Sequence, residues 1–453
     1  MSKLAVVVLA AGQGTRMKSS LPKVLHWIAG RPMIEYVLDS IAGLGEGRPV
    51  VVIGHGAEAV RKQVGEAATY ILQEQQLGTG HAVLEARSML EGRAEDVLVL
   101  YGDMPLLSSA TLRALVQAHT EHAGPITMLT CIHEQSMGFG RILRDEQGRV
   151  QAIVEERQAS PEQLLIRELN PGVYCFNAPW LWAHLPRLPL SPKGEYYLTD
   201  LVQMAVAEGS PVEGILVPDA METLGINDRL HLARVEAVLR QRVREELMRS
   251  GVTLVDPGST YVDATVCIGQ DTVIQANTYL QGNTRIGENC VIGPNTIVRD
   301  SAVGDGCRIE MSVVEGAVIE DQATVGPFAH LRKGAHLAQG VHMGNFGEVK
   351  NSYVGPGVRM GHFSYIGDTT VEADVNIGAG TVTCNYDGVN KYPTVIGEGA
   401  FVGSGTMLVA PVTVGPGARI GAGSVVTHDV PPGTLVYGVP ARPSPGKKGS
   451  GSR

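Results

Sequence analysis

The fold of the C-terminal half is decided by the stretch Thr284-Arg-Ile-Gly-Glu-Asn-Cys-Val-Ile-Gly-Pro-Asn-Thr-Ile-Val298, in which an aliphatic residue recurs every six positions. The same spacing, often with glycine after the aliphatic residue, runs with interruptions from Val266 to Val426. One hexapeptide can form one short strand and one turn, so three hexapeptides make a coil and stacked coils bury a continuous aliphatic core. We therefore expect a left-handed parallel β-helix of hexapeptide repeats over residues 251–440.

The interruptions of this repeat carry information of their own. Val303 comes one residue early, and the pattern lapses at residues 330–353 and again at residues 385–391. Insertions in a solenoid emerge as surface loops, where binding groups are often found. We expect surface loops at both lapses.

The N-terminal half has a different pattern. Residues 4–10, 49–53 and 96–100 are continuous apolar runs, typical of strands that are buried on both faces. A helical stretch such as residues 33–44 between such runs favours an α/β domain with a mostly parallel sheet, Rossmann-like, over residues 1–227. We place the domain boundary on a charged helix at residues 228–250, which Gly251 ends. The apolar face of this helix consists of Leu232, Val235, Leu239, Val243 and Leu247.

Composition narrows the class of protein. The chain of 453 residues exceeds the size of one core, so two domains are expected. A net charge of -9, with scattered basic residues, does not indicate a nucleic-acid partner. No apolar run reaches membrane-spanning length and no signal peptide is evident, which predicts a soluble cytoplasmic protein without a membrane partner. We expect residues 441–453, rich in Gly, Ser and Lys, to be disordered.

A glycine-rich turn follows the first predicted strand, in Leu9-Ala-Ala-Gly-Gln-Gly-Thr-Arg-Met17, and Leu21-Pro-Lys-Val-Leu-His26 comes next. Such a turn can direct backbone N–H groups at phosphate, and Arg16 and Lys23 add positive charge. The turn lacks the features of a P-loop and of a dinucleotide-binding fingerprint. Taken alone, it is equally compatible with a tight turn that only begins a helix.

Further motifs make the assignment more specific. The N-terminal half contains Gln73, Gln76-Leu-Gly-Thr-Gly-His81, Tyr101-Gly-Asp-Met-Pro105, Gly138-Phe-Gly-Arg141, Glu155, Asn170-Pro-Gly172, Gly194-Glu-Tyr-Tyr-Leu-Thr-Asp200 and Gly225-Ile-Asn-Asp228. The C-terminal half contains His330-Leu-Arg-Lys-Gly334, Gly361-His-Phe-Ser-Tyr-Ile-Gly367 and Asn376-Ile-Gly-Ala-Gly-Thr-Val-Thr-Cys-Asn-Tyr-Asp-Gly388. The first set resembles the sugar-nucleotide pyrophosphorylases. Both sets together resemble the family of bifunctional N-acetylglucosamine-1-phosphate uridyltransferases and glucosamine-1-phosphate acetyltransferases, from about residue 4 to about residue 439.

The resemblance implies a uridyltransferase site in the N-terminal domain. In-line attack by a sugar phosphate on UTP needs alignment and charge neutralisation more than a strong base. The resemblance implies that Asp103 and Asn227 hold one Mg²⁺ and that Arg16 and Lys23 act in catalysis. The implied ligands of UTP and of the sugar nucleotide are Leu9, Ala10, Ala11, Gly12, Lys23, Gln73, Gly78, Thr79, Tyr101, Gly102, Asp103, Gly138, Gly140, Glu155, Asn170 and Asn227.

Structural alternatives remain open for three of these residues. Asp103 is also compatible with a turn or helix-cap aspartate, and Asn227 with a cap of the helix that follows it. Glu155 adjoins Glu156, so the two are also compatible with a carboxylate pair on the surface.

The resemblance also implies an acetyltransferase site in the solenoid. An amine must lose a proton before it attacks a thioester, and imidazole is suited to remove it near neutral pH. The resemblance gives this general-base role to His362. It further implies that Arg332, Lys350, Tyr365 and Asn376 bind glucosamine 1-phosphate. The implied acetyl-CoA ligands are Ala379, Asn385, Tyr386, Ser404 and Ala422, although the three small residues among them are equally compatible with packing at the corners of coils.

One position departs from the family. An arginine commonly precedes a Val-Pro near the C-terminus, where it suits coenzyme A phosphates, whereas this chain has Gly438-Val-Pro440. Arg442, Lys447 and Lys448 are the nearby candidates for the missing charge. The family also implies a homotrimer, because flat solenoid faces can pack around a common axis.

Two other functions are compatible with parts of the sequence. The first is a single-activity nucleotidyltransferase whose solenoid only oligomerises or senses an effector. The second is a non-catalytic scaffold. His362, Asn376 and the Asn385-Tyr386 pair argue against the first, and Asp103, Lys23 and Asn227 argue against the second.

Overall fold

The computed structural model describes residues 3–133 and 138–444. The chain divides into two compact units, Met1–Leu239 and Arg240–Arg453. The division falls inside helix Arg229–Arg249, whose Val235 and Leu239 are buried in the core of the first unit, whereas Leu247 is buried in the core of the second. Among the described residues, no helix is long and apolar enough to cross a membrane.

The N-terminal unit is built around one mixed sheet. Its strands, together with the short hairpin β2–β3, are β1 (Leu4–Ala10), β2 (Trp27–Ile28), β3 (Arg31–Pro32), β4 (Val50–Ile53), β5 (Thr69–Leu72), β6 (Asp96–Tyr101), β7 (Ile126–Ile132), β8 (Gly140–Arg144), β9 (Val150–Val154), β10 (Glu168–Asn170), β11 (Tyr174–Asn177) and β12 (Val212–Leu216). The order is β5-β4-β1-β6-β11-β7-β10-β8-β9, and β12 also pairs with β7. Strands β5, β4, β1 and β6 are mutually parallel, as is the β7–β12 pair, and the other pairs of this sheet are antiparallel.

Helices cover both faces of this sheet. They are α1 (Met33–Ser40), α2 (Ala57–Val64), α3 (Thr79–Glu85), α4 (Arg87–Leu90), α5 (Ser109–Glu121), α6 (Ala178–His184), α7 (Asp200–Ala207) and α8 (Arg229–Arg249), with short 3₁₀ helices at Thr15–Met17, Lys23–Leu25, Gly65–Ala67, Glu156–Gln158, Gln163–Leu165, Leu185–Arg187 and Ala220–Thr223. One further 3₁₀ helix, Pro257–Ser259, belongs to the C-terminal unit. All seven residues of β1 are buried, and its alternate side chains enter two different cores. Helices α1, α2 and α5 contribute to one core, and α3, α6 and α7 contribute to the other. The predicted α/β class is confirmed.

The C-terminal unit is a left-handed parallel β-helix, as predicted. Its first face consists of Thr253–Leu254, Val273–Ile274, Val291–Ile292, Arg308–Ile309, Thr324–Val325, His342–Asn345, Arg359–His362, Asn376–Ile377, Phe401–Val402, Arg419–Ile420, Leu435–Gly438 and Ala441–Pro443. The second face consists of Tyr261–Val262, Tyr279–Gln281, Ile297–Arg299, Val313–Glu315, His330–Leu331, Glu348–Lys350, Tyr365–Gly367, Val382–Cys384, Met407–Val409 and Val425–Val426. The third consists of Cys267–Ile268, Arg285–Ile286, Ala302–Val303, Val318–Ile319, Ala335–Leu337, Ser352–Val354, Thr369–Val371, Thr394–Ile396 and Val412–Val414.

The glycine after each aliphatic residue has a steric reason. A Cβ at Gly269 would lie 2.6 Å from the carbonyl carbon of Gly287 on the next coil, and one at Gly403 would lie 2.6 Å from the Ala422 nitrogen. Real Cβ atoms do not approach other atoms so closely. The repeat therefore combines an aliphatic core position with a corner at which adjacent coils touch through their backbones.

Strand register tests the predicted interruptions. Tyr365 pairs with Val382, 17 residues later, whereas Val382 pairs with Met407, 25 residues later, so an insertion does leave the solenoid between them. The prediction of a loop at residues 330–353 is wrong. His330 pairs with Glu348 at the ordinary spacing of 18 residues, and the region forms regular strands. Its core residues Leu331, Leu337, Met343 and Val349 keep the six-residue spacing, and polar residues such as His336 and His342 occupy outward positions before them.

The predicted tail needs a similar correction. Ala441–Pro443 were expected to be disordered, but they form a strand antiparallel to Leu435–Gly438. These residues are ordered by backbone pairing with the last coil, which does not depend on their side chains and therefore cannot be predicted from composition. The rest of the tail, residues 445–453, lies outside the described residues.

Candidate active sites

The parallel half of the N-terminal sheet brings the glycine-rich turn and Asp103 together. The turn follows β1, Gln73 follows β5 and Asp103 follows β6, and these strands are parallel. Their carboxyl ends therefore meet at one edge of the sheet, where ligands of such folds collect. On the antiparallel side, Gly140 pairs with Asn170, and Glu155 follows the end of β9.

These elements surround a cleft of about 500 Å³. Its lining includes every residue predicted for the uridyltransferase site except Arg16 and Gly102. Gly102 is buried directly behind the lining, and its N–H donates to the Leu9 carbonyl at 2.9 Å. The cleft is also lined by residues that the prediction did not name, among them Gln76, Phe139, Glu195, Tyr197 and Thr199. Most of these lie within motifs that the sequence already singled out, so membership of the motif was the available signal.

Four charged or polar side chains meet on one side of the cleft. Lys23 forms an ion pair with Asp103, and its Nζ lies 3.4 Å from Oδ1 of Asn227. Arg16 Nη2 donates to the same Asn227 oxygen at 2.8 Å. The Asp103 and Lys23 side chains are about 15% and 17% exposed. Since Oδ2 of Asp103 and Oδ1 of Asn227 converge on one ammonium group, they can also converge on a metal cation, and both are hard oxygen donors.

The structure also decides the helix-cap alternatives. Helix α8 is capped by Asp228, whose Oδ1 accepts from the His231 N–H at 2.9 Å, and not by Asn227. Helix α5, which follows Asp103, is capped by Ser108, whose Oγ accepts from the Thr111 N–H at 3.1 Å. The side chains of Asp103 and Asn227 thus point to the cleft rather than to a helix end.

The turn between β5 and α3 is held in place by amides. Gln73 is buried and its Nε2 donates to the Gly78 carbonyl at 3.1 Å, while Gln76 Nε2 donates to the Ala11 carbonyl at 2.8 Å. Gly78 has a φ of +98°, and a Cβ there would lie 2.6 Å from the Tyr196 carbonyl oxygen. This position therefore requires glycine on both conformational and steric grounds. The backbone of Gly78 and Thr79 is held at the cleft surface.

The opposite wall of the cleft contains Glu155 and Asn170. Burial raises the pKa of Glu155, and a hydrogen bond from Thr199 Oγ1 (3.2 Å) opposes this effect. Asn170 Nδ2 donates to the Tyr174 hydroxyl at 2.7 Å. Glu155 faces the cleft, whereas the neighbouring Glu156 lies 3.7 Å from Arg141. The two carboxylates therefore do not form a surface pair.

In the C-terminal unit, His362 ends a strand of the first face and is exposed. The strand Arg359–His362 pairs with Asn376–Ile377 on the next coil, and this second strand leads into Ala379 at the corner that corresponds to His362. Gly405 N donates to the Ala379 carbonyl at 2.7 Å, and Gly423 N donates to the Ser404 carbonyl at 2.8 Å, so Ala379, Ser404 and Ala422 stack at successive corners. Ser404 and Ala422 are exposed and Ala379 is partly exposed. This column of small residues begins one coil after His362 and continues along the same corner of the solenoid.

Basic residues gather beside the second face. Arg332 Nη1 donates to Glu348 Oε1 at 2.9 Å, and Lys350 stands on the adjacent coil. Contact with the Lys391 ammonium, together with the charges of Lys391 and Arg332, lowers the pKa of Lys350. Lys391 was not predicted. It reaches this cluster only because the inserted loop returns to the solenoid here, and that path has no signal in the spacing of the sequence.

The inserted loop is anchored by Asp368. This carboxylate accepts from Asn385 Nδ2 at 2.5 Å and from Asn351 Nδ2 at 2.6 Å. Asn385 is therefore buried in the root of the loop, whereas Tyr386 is 59% exposed with its hydroxyl donating to the Gly388 carbonyl at 2.6 Å. The two predicted acetyl-CoA ligands thus differ, because Asn385 shapes the loop while Tyr386 presents a ring on its surface.

The remaining predicted residues of the C-terminal half lie on the solenoid faces, on the last strand and in the tail. Tyr365 and Asn376 are partly exposed on the second and first faces, and the Tyr365 hydroxyl occupies the space where a side chain at Gly367 would begin. Arg442 is exposed on the last strand, paired with Tyr437. Lys447 and Lys448 lie outside the described residues.

Comparisons with known proteins match the N-terminal and C-terminal parts of the chain to different family models. Residues 6–203 match the model of the MobA-like NTP transferase domain, and residues 268–300 and 393–428 match the bacterial transferase hexapeptide repeat. The bifunctional protein GlmU of Heliobacterium modesticaldum is 51% identical over 96% of this chain and 95% of its own length. Proteins of the same name from Pelotomaculum thermopropionicum (51%, covering 90% of each chain) and Trichlorobacter lovleyi (47%, covering 95% of each) are also similar.

Proposed function

The chain belongs to the family of bifunctional GlmU proteins, and from this membership and the two sites we propose which step each unit catalyses. The protein is a bifunctional uridyltransferase and acetyltransferase. The C-terminal unit converts glucosamine 1-phosphate and acetyl-CoA into N-acetylglucosamine 1-phosphate and coenzyme A. The N-terminal unit then converts this product and UTP into UDP-N-acetylglucosamine and pyrophosphate.

The uridyltransferase step takes place in the cleft of the N-terminal unit. The phosphate oxygen of N-acetylglucosamine 1-phosphate attacks the α-phosphorus of UTP, and pyrophosphate leaves. Lys23 and Arg16 neutralise phosphate charge, while backbone groups of residues 9–12 hold the nucleotide. Gln73, Gly78 and Thr79 face the uracil, and Gly140, Glu155 and Asn170 bind the acetylated sugar. The proposal is supported by the position of these groups around one cleft.

The family and the nucleotidyltransferase domain are consistent with a divalent metal requirement. We assign Mg²⁺ to Asp103 and Asn227, since their oxygens converge and the ion prefers oxygen ligands. When bound, Mg²⁺ would supply charge neutralisation for the triphosphate. Lys23 pairs with Asp103 in the structure. With Mg²⁺ on Asp103, Lys23 would be free to reach a phosphate oxygen instead.

The acetyltransferase step takes place between His362 and the basic cluster. His362 accepts a proton from the ammonium or amine of glucosamine 1-phosphate, whose phosphate lies on Arg332, Lys350 and Lys391. The amine nitrogen bonds to the acetyl carbonyl carbon, the carbon–sulfur bond breaks, and coenzyme A leaves as a thiol with the proton. Tyr365 and Asn376 orient the sugar. The acetyl-CoA arm lies along Ala379, Ser404 and Ala422, beside the inserted loop.

Hexapeptide repeats favour an oligomer, and we assign a homotrimer. An exposed aromatic ladder beside His362 supports this assignment. Phe328, Phe346 and Phe363 are 53%, 53% and 69% exposed, with ring centroids 5.4 and 6.3 Å apart along the ladder. Contiguous exposed apolar surface of this kind marks an interface, and closed threefold symmetry can bury it against a second copy of the chain.

The observation that carries the proposal is the presence of two separate and chemically different sites in a chain matched over nearly its full length by bifunctional relatives. The test supplies purified protein with glucosamine 1-phosphate, acetyl-CoA, UTP and Mg²⁺. We expect UDP-N-acetylglucosamine, with release of the coenzyme A thiol that depends on glucosamine 1-phosphate but not on UTP. Pyrophosphate release should depend on acetyl-CoA unless N-acetylglucosamine 1-phosphate is supplied. Thiol release that required UTP would contradict the order of steps.

A further inference from the structure

The imidazole of His362 is held by a side chain to which the sequence drew no attention. His362 Nδ1 lies 2.9 Å from Oδ1 of Asn345. The two residues are direct partners in the first face of the solenoid, and the N–H of Phe363 donates to the Asn345 carbonyl at 2.9 Å. Backbone pairing thus fixes the spacing of the two residues, and the side-chain contact then fixes the ring.

This contact has a chemical consequence. An amide oxygen can only accept a hydrogen bond, so the proton of a neutral imidazole in contact with it resides on Nδ1. The lone pair is then on Nε2. We propose that Asn345 is a positioning residue, which selects the tautomer of His362 whose Nε2 accepts the substrate proton. This inference rests on the proposed role of His362 as the general base.

The charge of Asn345 matters as well as its shape. An aspartate at position 345 would hold the same nitrogen but would also stabilise the imidazolium form. A neutral amide oxygen orients the ring without placing a full negative charge beside it. The titratable side chains directed outward from the neighbouring strands are His342 and Arg359 on the first face, and Glu348, Lys350 and Tyr365 on the second.

The chain offers a matched control. One pairing step earlier on the same face, His342 Nδ1 lies 2.7 Å from the hydroxyl of Thr324. A hydroxyl can donate or accept, so this contact does not select a tautomer. His342 has no part in the proposed reaction. Thr324→Ala therefore removes a similar histidine contact from the same face of the solenoid.

The test measures pH profiles of acetyl transfer for Asn345→Ala, Asn345→Asp and Thr324→Ala. Asn345→Ala should lower kcat by at least about tenfold while both KM values change by less than about threefold, because a ring free to flip presents the wrong nitrogen. Asn345→Asp should move the acid limb of the kcat/KM profile upward by roughly one pH unit or more. Thr324→Ala should match wild type in both respects. Thermal unfolding of each variant, followed by circular dichroism, reports whether its solenoid is folded.

A double-mutant cycle separates positioning from a general structural role. In a His362→Ala background, Asn345→Ala should cause no further loss, because the residue acts only through His362. A further tenfold loss in that background, or an unmoved acid limb in Asn345→Asp, would overturn the inference. If His362→Ala itself retained acetyl transfer, the proposed base role would fail. Loss in His362→Ala combined with wild-type kinetics in both Asn345 variants would overturn only the role of Asn345.

Discussion

Removal of the Lys391 charge should weaken binding of glucosamine 1-phosphate selectively. Lys391 contacts Lys350, and the charges of Lys391 and Arg332 lower the pKa of Lys350. The three neighbouring cations repel one another when no phosphate is bound, and a phosphate relieves that repulsion. Lys391→Met removes one of the three. Because Lys391 does not contact the reacting amine in the proposed arrangement, the effect should appear in KM and not in kcat.

The size of the effect follows from the position of the cluster. Lys350 and Arg332 lie at a partly exposed surface, where solvent screens each charge, so one contact is worth roughly a tenfold change in affinity. We therefore expect KM for glucosamine 1-phosphate to rise by about tenfold near pH 7.5, with kcat changed by less than about threefold.

The direction of the pKa shift of Lys350 predicts how kcat/KM of acetyl transfer changes with pH. A lysine whose pKa is lowered loses its charge at a lower pH than the ordinary value of 10.5. In the wild type the alkaline limb of kcat/KM, which reports the charge of Lys350, should therefore begin below that value. Lys391→Met removes the largest cause of the shift and should move this limb to higher pH. The defect of the variant should consequently shrink as pH rises from about 8 to about 10.

The assay follows release of the coenzyme A thiol at varied glucosamine 1-phosphate. Lys391→Arg keeps the charge and should stay close to wild type. Arg285→Met, an exposed cation on the third face of the solenoid, serves as the control for a general loss of positive charge. An unchanged KM in Lys391→Met, or an alkaline limb that stays in place, would refute this reasoning.

Three further predictions concern other parts of the two sites. His362→Ala should lower acetyl transfer by roughly 10²-fold or more without affecting uridylyl transfer, and an unaltered rate of thiol release would exclude it as the base. Because burial raises the pKa of Glu155, its ionisation should cost folding free energy as pH rises through that pKa. The Tm of Glu155→Gln relative to wild type should therefore increase between about pH 4 and about pH 7, and a constant difference would contradict this. If each acetyl site is shared between neighbouring copies, a refolded mixture of His362→Ala and Ala422→Trp chains should regain acetyl transfer, whereas inactivity in mixed trimers verified by light scattering would argue for sites within single chains.

The core of the solenoid was predictable because its sequence signal is local. A hexapeptide such as Val291-Ile-Gly-Pro-Asn-Thr296 specifies a core side chain, a close corner and a turn within six residues. The apparent lapse at residues 330–353 misled the prediction, because polar residues occupy the outward positions and glycine is missing after most of the aliphatic residues. The aliphatic residues Leu331, Leu337, Met343 and Val349 keep the six-residue spacing, and the backbone register of 18 residues from His330 to Glu348 agrees with it.

The candidate sites were predictable where a motif contains its own functional residues. Asp103 and Asn227 are separated by more than a hundred residues, yet each lies in a short motif that the resemblance could match. Lys391 and Asn345 were missed for different reasons. Lys391 reaches the cluster through the path of the inserted loop, and Asn345 acts through a strand pairing with His362. Both relations are properties of the tertiary structure and leave no local pattern in the sequence.

The central claim, that two independent sites act in sequence through a free intermediate, is tested most directly by mixing two variants. Asp103→Asn should retain acetyl transfer and lose uridylyl transfer, and His362→Ala should do the reverse. Neither alone should convert glucosamine 1-phosphate, acetyl-CoA and UTP into UDP-N-acetylglucosamine in the presence of Mg²⁺. Their mixture, without refolding, should restore the product after a lag while N-acetylglucosamine 1-phosphate accumulates. A mixture that stayed inactive although each variant kept its own half-reaction, or a single substitution that abolished both half-reactions in a folded protein, would contradict the account.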